Sequence, residues 1–206
     1  MKINPLITTL IGVHGPLESG KDTVAKTVVE TFPGLYKQYA FAWPIKEACK
    51  IIFAFTDEDM NDRQMKERIH PYWGITPRKA MQLLGTEYGR DLINKDLWVM
   101  RGESEIKKNA DEDKGTIISD VRFENEANII RSRGGIIIHI VRPDLDKTKE
   151  NYKHASEGGI PIQHGDFMLD NSGTLAEFKE AIIGLFEPKE EAFIWGREAF
   201  KIRNNL

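Results

Sequence analysis

The sequence is poor in several features, and each shortage excludes something. It has 206 residues and one cysteine, Cys49, so no intrachain disulfide can form. A reducing compartment fits that usage. Cys49 lies in an apolar stretch and reads as a small core residue. There is no basic surplus: Lys and Arg number 29 against 32 Asp and Glu, a net charge of −3. Proteins that live on duplex nucleic acid usually carry such a surplus. No nucleic acid polymer is therefore expected as a partner, and any anionic ligand must be held by a local cluster of positive groups. Long hydrophobic runs are missing too. The longest charge-free stretch, Ile3 to Leu17, is broken by His14, two prolines and two glycines, and it is too short to cross a membrane. The N-terminus shows no signal-peptide order of basic, apolar and cleavage segments, so no membrane partner is expected and the cytoplasm is the default. The five histidines show no zinc spacing and no cysteine pair accompanies them, which argues against a protein-only metal site. No internal repeat or low-complexity segment is present.

What remains is ordinary globular composition, 40% hydrophobic and 30% charged, at a length that suits one large domain with its own core. Leu6 to Val13 reads as a buried strand, followed by a glycine-bearing loop and a helix over Asp22–Phe32. Tyr36–Phe41 suits a second strand. Pro44 opens a helix running to about Phe55. Thr56 to Pro77 is rich in charge and reads as a mobile excursion with a short helix. Thr76 caps a helix from Pro77 to about Leu84 or beyond. Asp96–Lys108 is expected to be helical, Thr116–Ser119 a strand ending at Asp120, and Glu124–Arg133 a helix stopped by Gly134 and Gly135. Ile136–Val141 is the most hydrophobic strand and is expected at the centre of the sheet. Arg142–Ile162 reads as a flap, Phe167–Leu169 as a last strand and Leu175–Phe186 as a helix. The tail beyond Pro188 carries Phe193, Trp195, Phe200 and Ile202 and suits one more helix, with a homodimer contact as one use for it. Strands alternating with helices predict an α/β fold with a mostly parallel sheet.

The strongest local signal is Gly15-Pro-Leu-Glu-Ser-Gly20-Lys21-Asp22-Thr23. It fits G-x-x-x-x-G-K, after a strand and before a helix. Glycines let backbone N–H groups curl around phosphate oxygens. The helix N-terminus adds partial positive charge, and Lys21 brings a full one to the β- and γ-phosphates. Gly15, Ser19, Gly20, Lys21 and Thr23 are thus candidates for holding a nucleoside triphosphate. The loop departs from the usual pattern after the lysine, where Ser or Thr normally binds Mg²⁺. Here Asp22 stands, with Thr23 next. Asp22 then suits a magnesium-bound water, and Thr23 a phosphate.

Other positive charges suit a second phosphate: Arg78, Lys79, Arg90, Arg122 and Arg142. Arg78 and Gln82 are four apart on one helix face. An arginine fork beside an amide suits a phosphate and a base edge; a solvated helix face is the other reading. Asp120-Val-Arg122-Phe-Glu-Asn-Glu126 comes after a buried strand, where open α/β sheets place ligands. Asp120 suits orienting an acceptor phosphate or a magnesium-bound water, and Arg122 neutralising phosphate charge. Glu126 suits holding Arg122 or reading a sugar or base. The bland counterpart is an Asp cap with an Arg–Glu pair. Trp98 suits either stacking on a base or anchoring a core. His139, inside a strand, reads as core.

Taken in order, GPLESGKDT (15–23), PRKAMQLLGT (77–86), DVRFENE (120–126), IVRP (140–143), HASE (154–157) and DNSGTL (170–175) resemble the bacteriophage deoxynucleoside monophosphate kinases of the P-loop kinase superfamily. The resemblance runs from about Ile11 to Phe186. It implies ATP-dependent phosphorylation of deoxynucleoside 5′-monophosphates to diphosphates. It implies a three-layer fold of about five parallel strands flanked by helices, in a kinase domain of residues 1–187. Within that domain it implies an acceptor-binding region of about 43–108 and an arginine-bearing lid of about 142–162; the aromatic tail, 188–206, lies outside the match. By position, Lys21 and the loop backbone would bind ATP phosphates. Asn171 and Gly173 would seat adenine. Arg78, Lys79, Gln82, Gly85, Thr86, Trp98, Asp120, Arg122 and Glu126 would form the acceptor site. Arg142 would approach the transferring phosphoryl group from the lid hinge, and His154 and Glu157 would lie in the lid without an assigned role. The segment 56–77 matches weakly, which leaves base selectivity open. Rival readings are another small-molecule P-loop kinase, with dephospho-coenzyme A or phosphomevalonate as acceptor, and a nucleotide-gated binding module. The base-reading Asn-Lys-x-Asp stretch of GTPases is absent, because Asn94-Lys95-Asp96 lacks its spacer.

Overall fold

The computed structural model describes residues 2–6, 8–143 and 159–186. The expected tail, most of the expected lid, His154 and Glu157 lie outside them. The chain divides into two compact units, Met1–Tyr39 with Glu105–Leu206, and Ala40–Ser104.

The first unit is built on a five-stranded parallel sheet. Its strands are β1 (Leu10–His14), β2 (Tyr36–Tyr39), β3 (Gly115–Val121), β4 (Ile136–Val141) and β5 (Phe167–Asp170), in the order β2-β3-β1-β4-β5. The expectation of parallel strands flanked by helices holds. The expected centre does not: β1 is central, and Ile136–Val141 lies between β1 and β5. Its apolar run, three isoleucines and then Ile140 after His139, reports burial on both faces, which is not a position in the strand order. The first strand also starts later than Leu6. Asn4 diverts that stretch into a turn, its side chain accepting from the Leu6 N–H and its carbonyl from the Thr8 N–H.

Helices α1 (Lys21–Thr31), α7 (Glu124–Ser132) and α8 (Leu175–Gly184) cover the sheet. Val24 and Val28 of α1 pack with Ile11, Ile138, Phe178 and Ile182 in one buried cluster, the α-helical spacing that the sequence shows. Thr174 and Glu177 cap α8 reciprocally. Phe186 falls beyond that helix and bridges to Ile3.

The second unit is helical: α2 (Trp43–Phe53), α3 (Asp57–Asn61), α4 (Arg63–Glu67), α5 (Pro77–Gln82), a π-helix (Leu83–Ile93) and the start of α6 (Leu97–Asp111). Pro44 sits in the first turn of α2, and the Thr76 hydroxyl accepts from the Lys79 N–H to open α5. The core joins Ile45, Cys49, Phe55, Met60 and Ala80. Cys49 is fully buried there, and burial pushes its thiol up to about 11. The charged stretch after Thr56 is a correction to the sequence reading. It forms two capped helices, and Met60 and Asp59 are buried. Asp59 closes the cap by accepting from the Thr56 N–H and hydroxyl, so the acidic residues there begin a helix.

The helix from Pro77 continues beyond Leu84, as the sequence reading allowed, but not as α-helix. It widens into 11 residues of π-helix. Two glycines permit close neighbours: a Cβ on Gly85 would lie 2.8 Å from Ile45, and one on Gly89 would lie 2.7 Å from the Trp98 ring. The Trp98 indole N–H donates to the Gly85 carbonyl at 2.7 Å, which provides a partner for a carbonyl in the irregular helix.

Candidate active site

In the sheet unit, the loop 15–20 leaves the central strand at its carboxyl end and enters α1. That is the edge where a parallel sheet presents ligands. Gly20 has φ 102°, and Glu18 has φ 66°, a left-handed value that is uncommon outside glycine. A side chain on Gly15 would come within 2.6 Å of the Ser19 hydroxyl. Lys21 is buried, and its Nζ donates to the carbonyls of Gly15 and Pro16, both at 2.7 Å. The Ser19 hydroxyl is buried without a hydrogen-bond partner among the described residues. A buried ammonium folded onto its own loop, beside an unpaired hydroxyl, fits a loop built to receive phosphate oxygens.

Among the other sequence candidates, Arg142 and Asn171 touch this loop. Arg142, directly after β4, donates to the Glu18 carbonyl at 3.0 Å. Asn171, directly after β5, donates from its side-chain amide to the Ser19 carbonyl at 2.8 Å. Gly173 lies exposed in the turn before α8, beside the Glu177 carboxylate. Asp22 is exposed in the first turn of α1, with Thr23 half-buried behind it. A carboxylate and a hydroxyl are hard oxygen donors, which suits Mg²⁺ that keeps several waters. Among the described residues no group of three or more His, Cys, Asp or Glu could hold a metal alone.

Asp120 and Arg122 lie at the carboxyl end of β3 and just beyond it, next to β1. Glu126 is buried, and its Oε2 accepts from the backbone N–H groups of Arg122 at 2.7 Å and Phe123 at 3.1 Å. The carboxylate therefore clasps the turn that carries Arg122, and does so through main chain. A sequence can place Glu126 near Arg122 but cannot show that backbone N–H groups are its partners.

Sequence reading missed His14 and Asp166. His14 Nδ1 donates to the Val121 carbonyl at 2.9 Å, and its ring meets His139 edge-on at 5.3 Å. Burial lowers His14 to about 4; the Val121 bond opposes this, and His139, Lys21 and Arg122 add to it. His139 is buried, as expected, but it also bonds Asp166 at 2.9 Å. Asp166 in turn takes two bonds from Arg131 and one from the Gln163 N–H. Burial alone would raise its carboxyl; Arg131, the Gln163 N–H and His139 outweigh it and hold it below the usual range. The only sequence signal for His14 was its place beside the first glycine of the loop.

In the helical unit, Arg78 and Gln82 lie on α5, and Gly85, Thr86 and Arg90 on the π-helix. Arg78 pairs with Glu67 of α4, and Lys79 lies 3.7 Å from Glu87. Arg90 is buried and donates to the Lys95 carbonyl. Trp98 is half-buried against Gly85 and Gly89.

A family model described as deoxynucleotide monophosphate kinase matches residues 63–182, more than half of the chain. A protein of Acanthamoeba polyphaga mimivirus, which carries the deoxynucleotide monophosphate kinase name provisionally, is 34% identical over 84% of this chain and 94% of its own. The deoxynucleoside-5′-monophosphate kinase of Escherichia phage T5 is 28% identical over 77% of this chain and 87% of its own. The deoxynucleotide monophosphate kinase of Escherichia phage RB69 is 27% identical over 81% and 68%. No described helix is long and apolar enough to cross a membrane.

Proposed function

Because this chain belongs to the deoxynucleotide monophosphate kinase family, we propose that it transfers the γ-phosphoryl group of ATP to a deoxynucleoside 5′-monophosphate through these residues. An oxygen of the acceptor phosphate forms the new bond to phosphorus, the bond to the β-phosphate oxygen breaks, and ADP leaves. The acceptor oxygen is already anionic, so the site needs no strong base. Its work is to position two polyanions and to neutralise their repulsion.

Lys21, Ser19 and the N–H groups from Gly15 to Gly20 hold the ATP phosphates. On their arrival Lys21 exchanges two loop carbonyls for phosphate oxygens, a stronger charge-assisted partner. Arg142 and Arg122 offset the charge that spreads over the transferring group. Asp22 and Thr23 would hold Mg²⁺, which would supply further charge neutralisation when bound. Asn171 and Gly173 seat the adenine. Arg78, Lys79, Gln82, Gly85, Thr86, Trp98 and Asp120 bind the acceptor, with Arg122 on its phosphate. Glu126 serves that site by fixing the backbone of Arg122.

The observation that carries this reading is the buried Lys21 ammonium, turned onto its own loop beside the unpaired Ser19 hydroxyl. The test is ADP release with ATP and Mg²⁺ against dGMP, dTMP, dCMP, dAMP, their ribo counterparts, dephospho-coenzyme A and phosphomevalonate. Turnover with deoxynucleoside monophosphates is the expected result. Turnover confined to either of the last two acceptors, or ATP binding with no acceptor-dependent ADP, would sink it.

A further inference from the structure

The β1–β3 pairing slips at the edge where the phosphate loop begins. Gly12 pairs with Ile118, but His14 pairs with Val121, so two steps along β1 span three along β3. An extra residue in one strand bends it and re-aims the chain beyond it. The first residue beyond β3 is Arg122. The irregularity lies beside the His14 imidazole, whose Nδ1–H donates to the carbonyl of Val121, the last residue of β3. Directly after His14 in the chain stands Gly15, the first residue of the loop.

We propose that His14 is a positioning residue: its bond to the Val121 carbonyl holds the β3 irregularity in place and so fixes the direction in which Arg122 leaves the sheet beside the phosphate loop. The inference rests on the kinase reading for its effect on turnover. A bond from Nδ1–H to a carbonyl demands one tautomer, with the proton on Nδ1. The His14 ring also meets His139 edge-on, and Asp166 hydrogen-bonds to His139 in turn. Asp166 is almost inaccessible, with a side chain 2% exposed, and Arg131 and the Gln163 N–H hold it. A ring contact followed by hydrogen bonds among largely buried groups therefore backs the His14 ring. Glu126 grips the Arg122 and Phe123 N–H groups just beyond. The peptide before Arg122 is thus held at its carbonyl by His14 and at its N–H by Glu126, and the peptide after Arg122 at its N–H by Glu126. Arginine orientation is worth this much structure because a small displacement of a charge-stabilising group costs on the order of 100-fold in rate.

The experiment compares His14→Ala with His14→Asn, whose amide N–H can take the place of Nδ1–H. The Ala variant is expected to lose about tenfold or more in kcat, with the KM for ATP changed by less than about threefold; the Asn variant should return to within about threefold of the parent. In an Arg122→Ala background, His14→Ala should cost less than about twofold, because it has no arginine left to aim. Wild-type kcat in His14→Ala, an Asn variant no better than Ala, or costs that multiply in the double variant would each overturn the proposal. ¹⁵N NMR of the wild-type imidazole is independent of folding in the variants and of turnover. It should show His14 protonated at Nδ1, and a proton on Nε2 alone would overturn the geometry. A wild-type protein silent on every acceptor would remove the kinase reading, and the tautomer would then decide the hydrogen bond by itself.

Discussion

The sheet unit and the helical unit hold their candidate residues in different ways. In the sheet unit the charged groups are fixed by main chain and by buried partners: Lys21 on loop carbonyls, Arg142 on the Glu18 carbonyl, Glu126 on two N–H groups. In the helical unit Arg78 and Lys79 meet carboxylates on partly exposed helix faces, and Leu83, Tyr88, Leu92 and Ile93 of the π-helix stand open to solvent. One unit presents a rigid frame that suits a ligand common to many proteins. The other presents adjustable side chains, which suit a ligand that must be told from its neighbours.

The largest expected effect tests the rigid frame. Lys21→Ala should lower kcat by about 100-fold or more, as removing one preorganised charge does, in a protein that still folds. A folded Lys21→Ala protein near wild-type turnover would take Lys21 out of the site and remove the contrast with it.

Acid should separate the two units next. His14 ionises in the folded protein only near pH 4, against about 6.5 unfolded. Below 6.5 the unfolded chain binds a proton that the fold refuses. Stability is therefore full above about 6.5 and falls as pH drops towards 4, by about 2 kcal/mol after allowance for the ring's partial exposure. The charges that oppose its protonation are His139 on β4, Lys21 on α1 and Arg122 after β3. In the helical unit Asp59 is depressed by the Thr56 N–H, so its contribution persists to below about pH 4 and is lost only as pH falls further. Hydrogen exchange at pH 7, 5 and 3.5 should show β1 and β3 losing protection before α2 and α3. Simultaneous loss would break the distinction.

These differences track what the sequence made legible. The loop and α1 were readable because a motif and a helical period coincide: Asp22–Phe32 was expected and Lys21–Thr31 is found. The parallel sheet could be read from the alternation of strands and helices, but its order could not, since hydrophobicity reports burial and not neighbours. The His14–Val121 bond ends on a carbonyl 107 positions away, and carbonyls carry no residue signature. Asp166 joins Arg131 and His139 across 35 and 27 positions for the same kind of reason. The π-helix was hidden because a run of i to i+5 bonds has no composition of its own. Arg78 and Lys79 were readable as a charged face, but Glu67 as the partner of Arg78 and Glu87 as the neighbour of Lys79 were not.

The π-helix gives the third test. Gly89→Ala would push a methyl into the Trp98 ring and the Leu84 carbonyl, both within about 3 Å. Overpacking of that kind costs about 1–3 kcal/mol, read as a lower denaturant midpoint. If the variant is as stable as its parent, the π-helix yields at that point, and the helical unit is more adjustable still.

The smallest effect is the most informative about the acceptor. Glu67 and Arg78 form a partly exposed pair, side chains 43% and 19% accessible. Such pairs contribute under about 1 kcal/mol, so Glu67→Gln should leave the unfolding midpoint almost unmoved. Its effect on substrate depends on what Arg78 does. If the guanidinium binds the acceptor phosphate, Glu67 holds it in place beforehand, and loss of the charge should raise the monophosphate KM about threefold with kcat nearly constant, the signature of weakened binding shared by ground and transition states. Stability and KM both unchanged would mean that Arg78 belongs to a solvated helix face and does not bind the acceptor phosphate.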